Sequence, residues 1–545
     1  MKIMKQMKTW ALTAFLIFCS AGTAWAQSAI NDIPAEVNAA DATITNMGHA
    51  TMTMKRVVVT DPTTQNADTL MKVENIEWNT EVDTAKKRMA RRKAIAGSDF
   101  YEKDSNWYLD LWWFNYLYPS INADGEEITL SSMACMPDED CDYVNNIIVG
   151  CHVTITSNKE CPTSYSKEGS FRSDVSMLMN YAGSGTGFAA DQKYQEFYNL
   201  VILPDYDGYG FTKSYAHPYL YQELTARQVV DAVRYGKKLY ETSSAVNKIR
   251  HPFSDNWRTI TMGYSQGASV ALATQRFIEQ NGLTDELQLA GSVCGDGPYD
   301  LMSTLMYYME KDIQGKQMSM PVVLPLILKG MCDCNPYMKN HQVSEYLDAR
   351  FLETGILDWL TQKEKTTDDI TAAWVNLYNN GKNGDATYFR NVITSDGKAY
   401  LNKILKPEGY QYFKNLLTAT PNYTQAEGIP LPTHRGLMED LHFALESNNM
   451  TMGWQPQHAI YLYHSYEDTV VPEKNRQRAW NTINDWVIKI KASGEDHVDE
   501  GKNFYFCSAD KIDRCIRALG EAPIHQTKED VLTMRKNVYN NYKDE

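Results

Sequence analysis

Gly263-Tyr264-Ser265-Gln266-Gly267 decides how this sequence is interpreted, because it fits the pattern G-x-S-x-G in a suitable context. Residues 257–262 before it have the apolar character of a short strand, and residues 268–278 after it have the spacing of a helix. A serine at so sharp a strand-to-helix turn needs a glycine on each side, since a Cβ atom there would clash. The pattern therefore predicts a serine hydroxyl held at a helix N-terminus, where developing negative charge is favoured.

Short apolar runs on both sides of this turn predict a sheet. A β-hairpin is predicted at 107–118 and 127–136, and a long helix at 220–240. Further strands are predicted at 146–152, 199–204, 287–294, 458–464 and 486–491. Because these strands alternate with helices, the predicted fold class is α/β, with a mostly parallel central sheet covered by helices on both faces.

The same pattern divides the chain into segments. Residues 300–455 lack the short apolar runs that predict strands, and helices are predicted there at 301–312, 344–354 and 371–379. This segment is therefore predicted to be a mainly helical cap inserted into the sheet domain. The sheet domain itself is predicted in two parts, at 101–299 and 456–545. Residues 27–100 are polar without clear periodicity, and we interpret them as a leader or partly helical N-terminal extension.

The N-terminus has the pattern of a secretory signal peptide. Three lysines precede an apolar run at 10–18, and Ala24-Trp25-Ala26 then forms a small-residue cleavage site. We therefore expect residues 1–26 to be removed and the protein to be secreted or periplasmic. Lipid anchoring at Cys19 is disfavoured, because the bulky Phe18 precedes it.

Charge restricts the classes of partner. Residues 1–26 contain three lysines and no acidic residue, so their removal changes the net charge from −15 to −18. So acidic a chain argues against nucleic acid and anionic membranes as partners. No later segment approaches the ~20 apolar residues of a transmembrane helix, and the sequence leaves the oligomeric state open.

Nine cysteines follow residue 26, and several lie close together in the sequence. In an oxidising compartment local disulfides are expected, although the pairing cannot be read from the sequence. The neighbouring pairs are Cys135 and Cys141, Cys151 and Cys161, Cys332 and Cys334, and Cys507 and Cys515. Zinc is disfavoured because Cys332-Asp333-Cys334 has no second cluster at ligand spacing, and neither a metal nor a cofactor is predicted.

Candidate partners for Ser265 follow from the chemistry that a serine nucleophile needs. An imidazole must take the hydroxyl proton, and a carboxylate must orient that imidazole. Asp468 is the predicted acid, because it follows the strand 458–464, and Asp296 after the preceding strand is the alternative. His497 is the predicted base, because catalytic loops gather at the carboxyl ends of parallel strands. His525 is the rival base, and it requires 503–507 to be the last strand.

An acyl-transfer site also needs donors for the oxyanion that forms on the substrate carbonyl. The backbone N–H of Gln266, which follows the nucleophile, is one predicted donor. A second is expected from the Val153 and Thr154 region, after the strand 146–152.

Several motifs together resemble those of secreted bacterial α/β-hydrolases akin to the fungal secretory lipases. They are Asp205-Tyr206-Asp207-Gly208-Tyr209-Gly210, His217-Pro218-Tyr219-Leu220, Arg227-Gln228-Val229-Val230-Asp231-Ala232, His152-Val153-Thr154 and Gly263-Tyr264-Ser265-Gln266-Gly267. The resemblance covers about 107–300 and 456–515. It implies the α/β-hydrolase fold and a Ser-Asp-His carboxylic-ester hydrolase with a cap over its acyl or alcohol pocket. The chain departs from the resemblance at Val153, where such lipases usually have glycine.

The combined prediction is a secreted serine hydrolase of the esterase or lipase type, which cleaves a small-molecule or polymer-linked ester through an acyl-enzyme intermediate. A serine peptidase of the same fold is an alternative, although the sequence has no repeat of β-propeller blade length. A non-catalytic glycan- or lipid-binding protein on a hydrolase scaffold is another, since the predicted cap is rich in aromatic residues. The fold does not decide the substrate.

Overall fold

The described residues form one eleven-stranded sheet with helices on both faces. The computed structural model describes residues 29–60, 67–79, 100–103, 106–138, 142–168, 174–182, 198–382, 384–492, 494–507 and 509–541. The predicted signal peptide at 1–26 lies outside these residues.

The part of the sheet that carries the G-x-S-x-G turn is parallel, in the spatial order β11-β10-β9-β8-β6-β7. The strands are β6 (Val144–Cys151), β7 (Asn199–Pro204), β8 (Phe253–Tyr264), β9 (Leu289–Gly295), β10 (Ala459–His464) and β11 (Val487–Lys491). The sheet is buried on both faces here, so these strands are almost continuous apolar runs. This arrangement confirms the predicted fold class.

The N-terminal part of the sheet is antiparallel and begins earlier than expected. Its strands are β1 (Thr43–Thr60), β2 (Ala67–Asn79), β3 (Phe100–Lys103), β4 (Asn106–Ile121) and β5 (Glu127–Pro137). The predicted hairpin is confirmed, since β4 pairs with β5, and β5 then pairs antiparallel with β7. The expectation of a partly helical extension was wrong for 43–60 and 67–79, because β1 pairs with both β2 and β4.

Helices cover both faces of the sheet and bury alternate side chains of each strand. On β6, Ile147 and Val149 pack into the core under the helices Gln222–Thr242 and Gln266–Gln280. Ile148 points to the opposite core, which includes apolar residues of the helix Ala509–Gly520. Other helices of the sheet domain are Pro162–Glu168, Asp174–Met179, Thr284–Leu287, Lys474–Ile483, His497–Lys502 and Lys528–Asn541.

Between β9 and β10 the chain forms a helical region with a hydrophobic core of its own. Its helices are Leu301–Ile313, Val323–Cys334, Ala349–Leu352, Ile356–Gln362, Thr367–Asn380, Leu401–Ile404, Pro407–Ala419 and Leu437–Ser447. We call this region, 301–447, the cap. The helix expected at 344–354 is shorter, because a 3-10 turn at Val343–Glu345 precedes Ala349–Leu352.

Buried polar contacts fasten the cap to the sheet domain. The ammonium group of Lys363 donates hydrogen bonds to the backbone carbonyls of Gly208 and Tyr215, and burial lowers its pKa to about 8. On the other side, Arg478 Nε lies 3.1 Å from Asp300 Oδ2, directly before the first cap helix. Lys363 therefore holds the cap against the sheet domain, and Arg478 holds the residue at which the chain enters the cap.

The cysteines do not follow the local disulfide expectation. Cys135, Cys151, Cys161, Cys294, Cys332, Cys334 and Cys515 are buried free thiols. Cys141 lies outside the described residues. The neighbours Cys151 and Cys161 are therefore unbridged, as are Cys332 and Cys334, which corrects the expectation for those pairs.

Among the described residues, no helix has the length and hydropathy needed to cross a bilayer.

Candidate active site

Ser265 lies at a tight turn between β8 and the helix that begins at Gln266. Its φ of 55° and ψ of −126° are unusual for a serine, and such strain is typical of functional turns. A Cβ atom on Gly267 would lie 2.0 Å from the carbonyl oxygen of Cys151, and one on Gly263 would lie 2.5 Å from it. The two glycines therefore allow the end of β6 to approach the turn closely.

The structure brings Ser265, His497 and Asp468 together. Ser265 Oγ lies 2.8 Å from His497 Nε2, and His497 Nδ1 lies 2.5 Å from Asp468 Oδ2. All three are buried. The other carboxylate oxygen of Asp468 accepts the backbone N–H groups of Val470 and Val471, at 2.8 and 2.7 Å. The imidazole is thus aligned between a hydroxyl and a fixed carboxylate.

The electrostatics of His497 suit a proton acceptor. Burial by itself lowers the pKa of His497, but the carboxylates of Asp468, Asp296 and Asp496 outweigh burial and raise the pKa above its ordinary value of 6.5. Burial raises the pKa of Asp468, and the facing imidazole opposes that effect. The carboxylate of Asp468 is therefore placed to stabilise the charged imidazolium form of His497.

The alternative base and acid lie elsewhere. The side chain of His525 is 78% exposed and its Nε2 lies 3.1 Å from Asp285 Oδ1. The segment Asn503–Cys507, which His525 required as a strand, is helical instead. Asp296 contacts Tyr264, His464 and Ser465. Asp468, not Asp296, faces the Nδ1 atom of the base.

The predicted oxyanion donors lie in different surroundings. Gln266 is the first residue of its helix, so its backbone N–H belongs to the N-terminal amides that have no intrahelical acceptor. The N–H of Val153 instead donates to Asp174 Oδ2 at 2.7 Å. The hydroxyl of Thr154 lies 2.7 Å from that of Tyr219. The Val153 amide is therefore occupied by a carboxylate in this structure.

A cavity of about 330 Å³ adjoins Ser265 and His497. Its lining is mostly apolar, and the cap and the sheet domain both contribute to it. An acidic group of Glu160, Asp174 and Asp368 and one cation, Lys502, also line the cavity. The apolar cap residues are Leu301, Leu305, Met318, Met320, Val323, Leu324, Ile327, Leu328, Leu405, Phe413, Leu441 and Leu445. The site thus joins a polar serine-histidine pair to a hydrophobic chamber.

The sequence did not indicate Asp174 or the acidic group, because single carboxylates far apart in the chain carry no spacing signal. Tyr264 was quoted only as part of the motif, yet its hydroxyl contacts both Asp296 and the backbone of His497. Among the residues that the structure describes, no group of three or more His, Cys, Asp or Glu side chains is placed to hold a metal ion.

No protein-family model matches the chain, and no curated protein matches it. Among solved structures, the rice cell wall degrading esterase LipA from Xanthomonas oryzae is 18% identical with a TM-score of 0.51, covering 83% of this chain and 95% of LipA. A putative hydrolase from Legionella pneumophila is 17% identical with a TM-score of 0.52, covering 76% of this chain and 90% of that one.

Candida antarctica lipase A is 12% identical to this chain, and the match covers 71% of this chain and 73% of the lipase. The TM-score is 0.42, which is too low to support an argument. The likeness to LipA and to the Legionella protein concerns the fold. The chain has the α/β-hydrolase fold, as the sequence predicted.

Proposed function

We propose that this protein is a serine hydrolase of carboxylic esters that acts through an acyl-enzyme intermediate. The observation that carries the proposal is the chain of two short contacts from Ser265 to His497 to Asp468 at a strained strand-to-helix turn. Nucleophile, base and orienting acid are the three roles that such catalysis needs. The likeness in fold to an esterase agrees with it.

In this mechanism His497 Nε2 accepts the proton of Ser265 as Oγ attacks the ester carbonyl. Asp468 stabilises the resulting imidazolium through Nδ1–H. The tetrahedral intermediate collapses as His497 returns the proton to the leaving alcohol, which leaves an acyl group on Ser265. Water, activated by His497, then attacks the acyl group and releases the acid. The backbone N–H of Gln266 is a proposed donor to the oxyanion in both halves of the reaction.

The cavity favours an ester with an apolar acyl or alcohol part. Its apolar cap lining would bury such a group and gain about 0.8 kcal/mol for each buried CH₂. The carboxylates of Glu160, Asp174 and Asp368 disfavour an anionic substrate at the same cavity. Burial, with Asp174 and Asp368 nearby, raises the pKa of Glu160 to about 7. The proposed substrate is therefore an uncharged ester.

The aromatic residues of the cap give little support to the non-catalytic alternative. Trp374 is fully buried, and Trp359, Tyr378, Tyr410 and Tyr412 pack against the cap core. Aromatic rings that stack on sugars must present a free face. No observation favours a peptidase over an ester hydrolase.

The N-terminal pattern supports secretion or periplasmic export as part of the proposal.

The test is the activity of the purified protein on p-nitrophenyl esters of increasing acyl length, compared with Ser265→Ala. We expect the parent to hydrolyse these esters and the variant to lose on the order of 10⁶ in kcat while it remains folded. A fluorophosphonate should label the parent at Ser265 and leave the variant unlabelled. Equal activity in parent and variant would remove Ser265 from the chemistry, and an inactive, unlabelled parent would refute the proposal.

A further inference from the structure

We infer that Asp296 is a positioning residue that holds the loops of the nucleophile, the acid and the base in register. The inference rests on the proposed function, and it concerns the same site. Asp296 follows β9 directly, and its φ of 40° turns the chain at the carboxyl edge of the sheet. The residue is fully buried, so its contacts are made without competition from water.

The first contact of Asp296 reaches the nucleophile and the base. Its Oδ2 lies 2.7 Å from the hydroxyl of Tyr264, the residue directly before Ser265. The same hydroxyl lies 2.8 Å from the backbone carbonyl oxygen of His497, and the two rings are 5.2 Å apart. The phenol has one proton, which lies between these two acceptor oxygens. Burial, together with Asp296, raises the pKa of Tyr264 well above its usual value, so this proton is retained. Tyr264 thus joins Asp296 to both catalytic loops.

The second contact reaches the loop of the acid. Oδ1 of Asp296 accepts the backbone N–H of Ser465 at 2.9 Å, and His464 Nδ1 lies 2.8 Å from it. Ser465 begins the loop that carries Asp468. The hydroxyl of Ser465 in turn donates to the backbone carbonyl of Glu495, at 2.6 Å, in the loop that carries His497. The carboxylate of Asp296 therefore contacts the loops of the nucleophile and the acid directly, and it reaches the loop of His497 through Tyr264 and Ser465.

The charge of Asp296 also acts on the base without contact. The carboxylates of Asp468, Asp296 and Asp496 all raise the pKa of His497, and Asp468 is hydrogen-bonded to it. Neutralising Asp296 removes one of these charges and should lower the pKa of His497. If Asp296 acted only through packing, its neutralisation would leave the pKa of His497 unchanged. The pH profile of activity therefore distinguishes an electrostatic role of Asp296 from a packing role.

The experiment compares Asp296→Asn with the parent on a p-nitrophenyl ester across a range of pH. We expect kcat to fall on the order of 10²-fold with little change in KM, because a small misplacement of reacting groups has an effect of this size. We also expect the pH midpoint of kcat/KM to shift to lower pH. Fluorophosphonate labelling of Ser265 should slow in parallel with kcat.

Two further variants keep the inference falsifiable. Tyr264→Phe removes only the hydroxyl that joins Asp296 to His497, and we expect about a tenfold loss of kcat with KM retained. Asp231→Asn, which neutralises a buried carboxylate paired with Arg227 and Ser120, should lower the unfolding temperature without moving the pH midpoint. If Asp296→Asn fails to fold, full activity of Tyr264→Phe refutes the inference.

The outcomes distinguish the inference from the proposed function. An active parent whose Asp296→Asn variant keeps its kcat and its pH midpoint refutes the positioning role and leaves the proposed function intact. A parent that neither hydrolyses esters nor reacts with the fluorophosphonate refutes both.

Discussion

Two glycines and a serine account for the geometry of the nucleophile turn. Gly267 and Gly263 bring the backbone of Cys151 close to the turn, because either Cβ atom would collide with its carbonyl oxygen. This approach places the carbonyl oxygen of His152 next to Gly267, and Val153 lines the same cavity as Ser265. The five-residue pattern alone does not show this. Ser265 itself adopts a positive φ, a strained state that the surrounding packing must hold.

The two candidate histidines can be separated by mutation. We expect His497→Ala to lose nearly as much kcat as Ser265→Ala, because nucleophile and base act as a unit. His525→Ala is the matched control, since this exposed side chain contacts only Asp285 among the pairs described for it. The measurement is kcat on the same ester for both variants. An essential His525 with a dispensable His497 would contradict the proposed base.

The sequence predicted most of the residues that lie at the site, but few of the contacts that hold them in place. Asp468 and His497 follow strands that topology places side by side, so chain order was enough to nominate them. Asp296 was nominated as an acid, but its contacts with Tyr264 and Ser465 depend on side-chain directions that only folding sets. Asp174 had no signal at all, because its partner is a backbone amide.

At the scale of elements, the carboxyl end of β6 and the helix Asp174–Met179 meet at the amide of Val153, a predicted oxyanion donor. Asp174 is the first residue of this helix, and its carboxylate accepts the N–H of Val153. A carboxylate presents the same charge and the same hydrogen-bond demand as an oxyanion. In the proposed mechanism, Asp174 therefore competes with the tetrahedral intermediate for this amide.

Removing that competitor should raise activity. We expect Asp174→Ala to increase kcat/KM about three- to tenfold, because a donor in the oxyanion region is freed and a like charge is removed. Asp368→Ala is the control, because it removes a carboxylate from the same cavity without touching Val153. If kcat/KM rises less in Asp368→Ala than in Asp174→Ala, the difference is due to the freed Val153 amide and not to the loss of a negative charge. A loss of activity in Asp174→Ala of the size seen for a missing oxyanion donor would mean that the carboxylate supports the loop instead.

Strand pairing explains where the sequence-based description of elements failed. The parallel strands are short apolar runs, which periodicity detects well. β1 and β2 mix polar and apolar residues, and β1 gains its partner β4 only through contacts about 60 residues apart in the chain. The pairing of β1 with β4 has no local signature, and 27–100 was interpreted as a leader or partly helical extension.

On the scale of the whole molecule, the N-terminal segment is part of the sheet domain. Ala50 and Met52 of β1 are buried in the core that also contains Leu109 and Trp113 of β4. Farther upstream, the guanidinium of Arg227 donates to the backbone carbonyl of Ile30 at 2.9 Å. The segment is therefore bound to the sheet by strand pairing and to the helix Gln222–Thr242 by a buried cation.

Deleting residues 27–99 should consequently destabilise the whole sheet domain. The deletion uncovers one edge of β4, removes buried apolar side chains that each contribute roughly 2–5 kcal/mol, and leaves Arg227 without a backbone acceptor. Against a total stability of about 5–15 kcal/mol, such losses are enough to unfold the domain. We expect the deleted protein to aggregate on size-exclusion chromatography, whereas a chain that begins at Gln27 stays monodisperse with a cooperative thermal transition. If the deleted protein matches that chain in unfolding temperature and esterase activity, then β1 and β2 are dispensable additions, and the hydrolase core is complete from β4 onward.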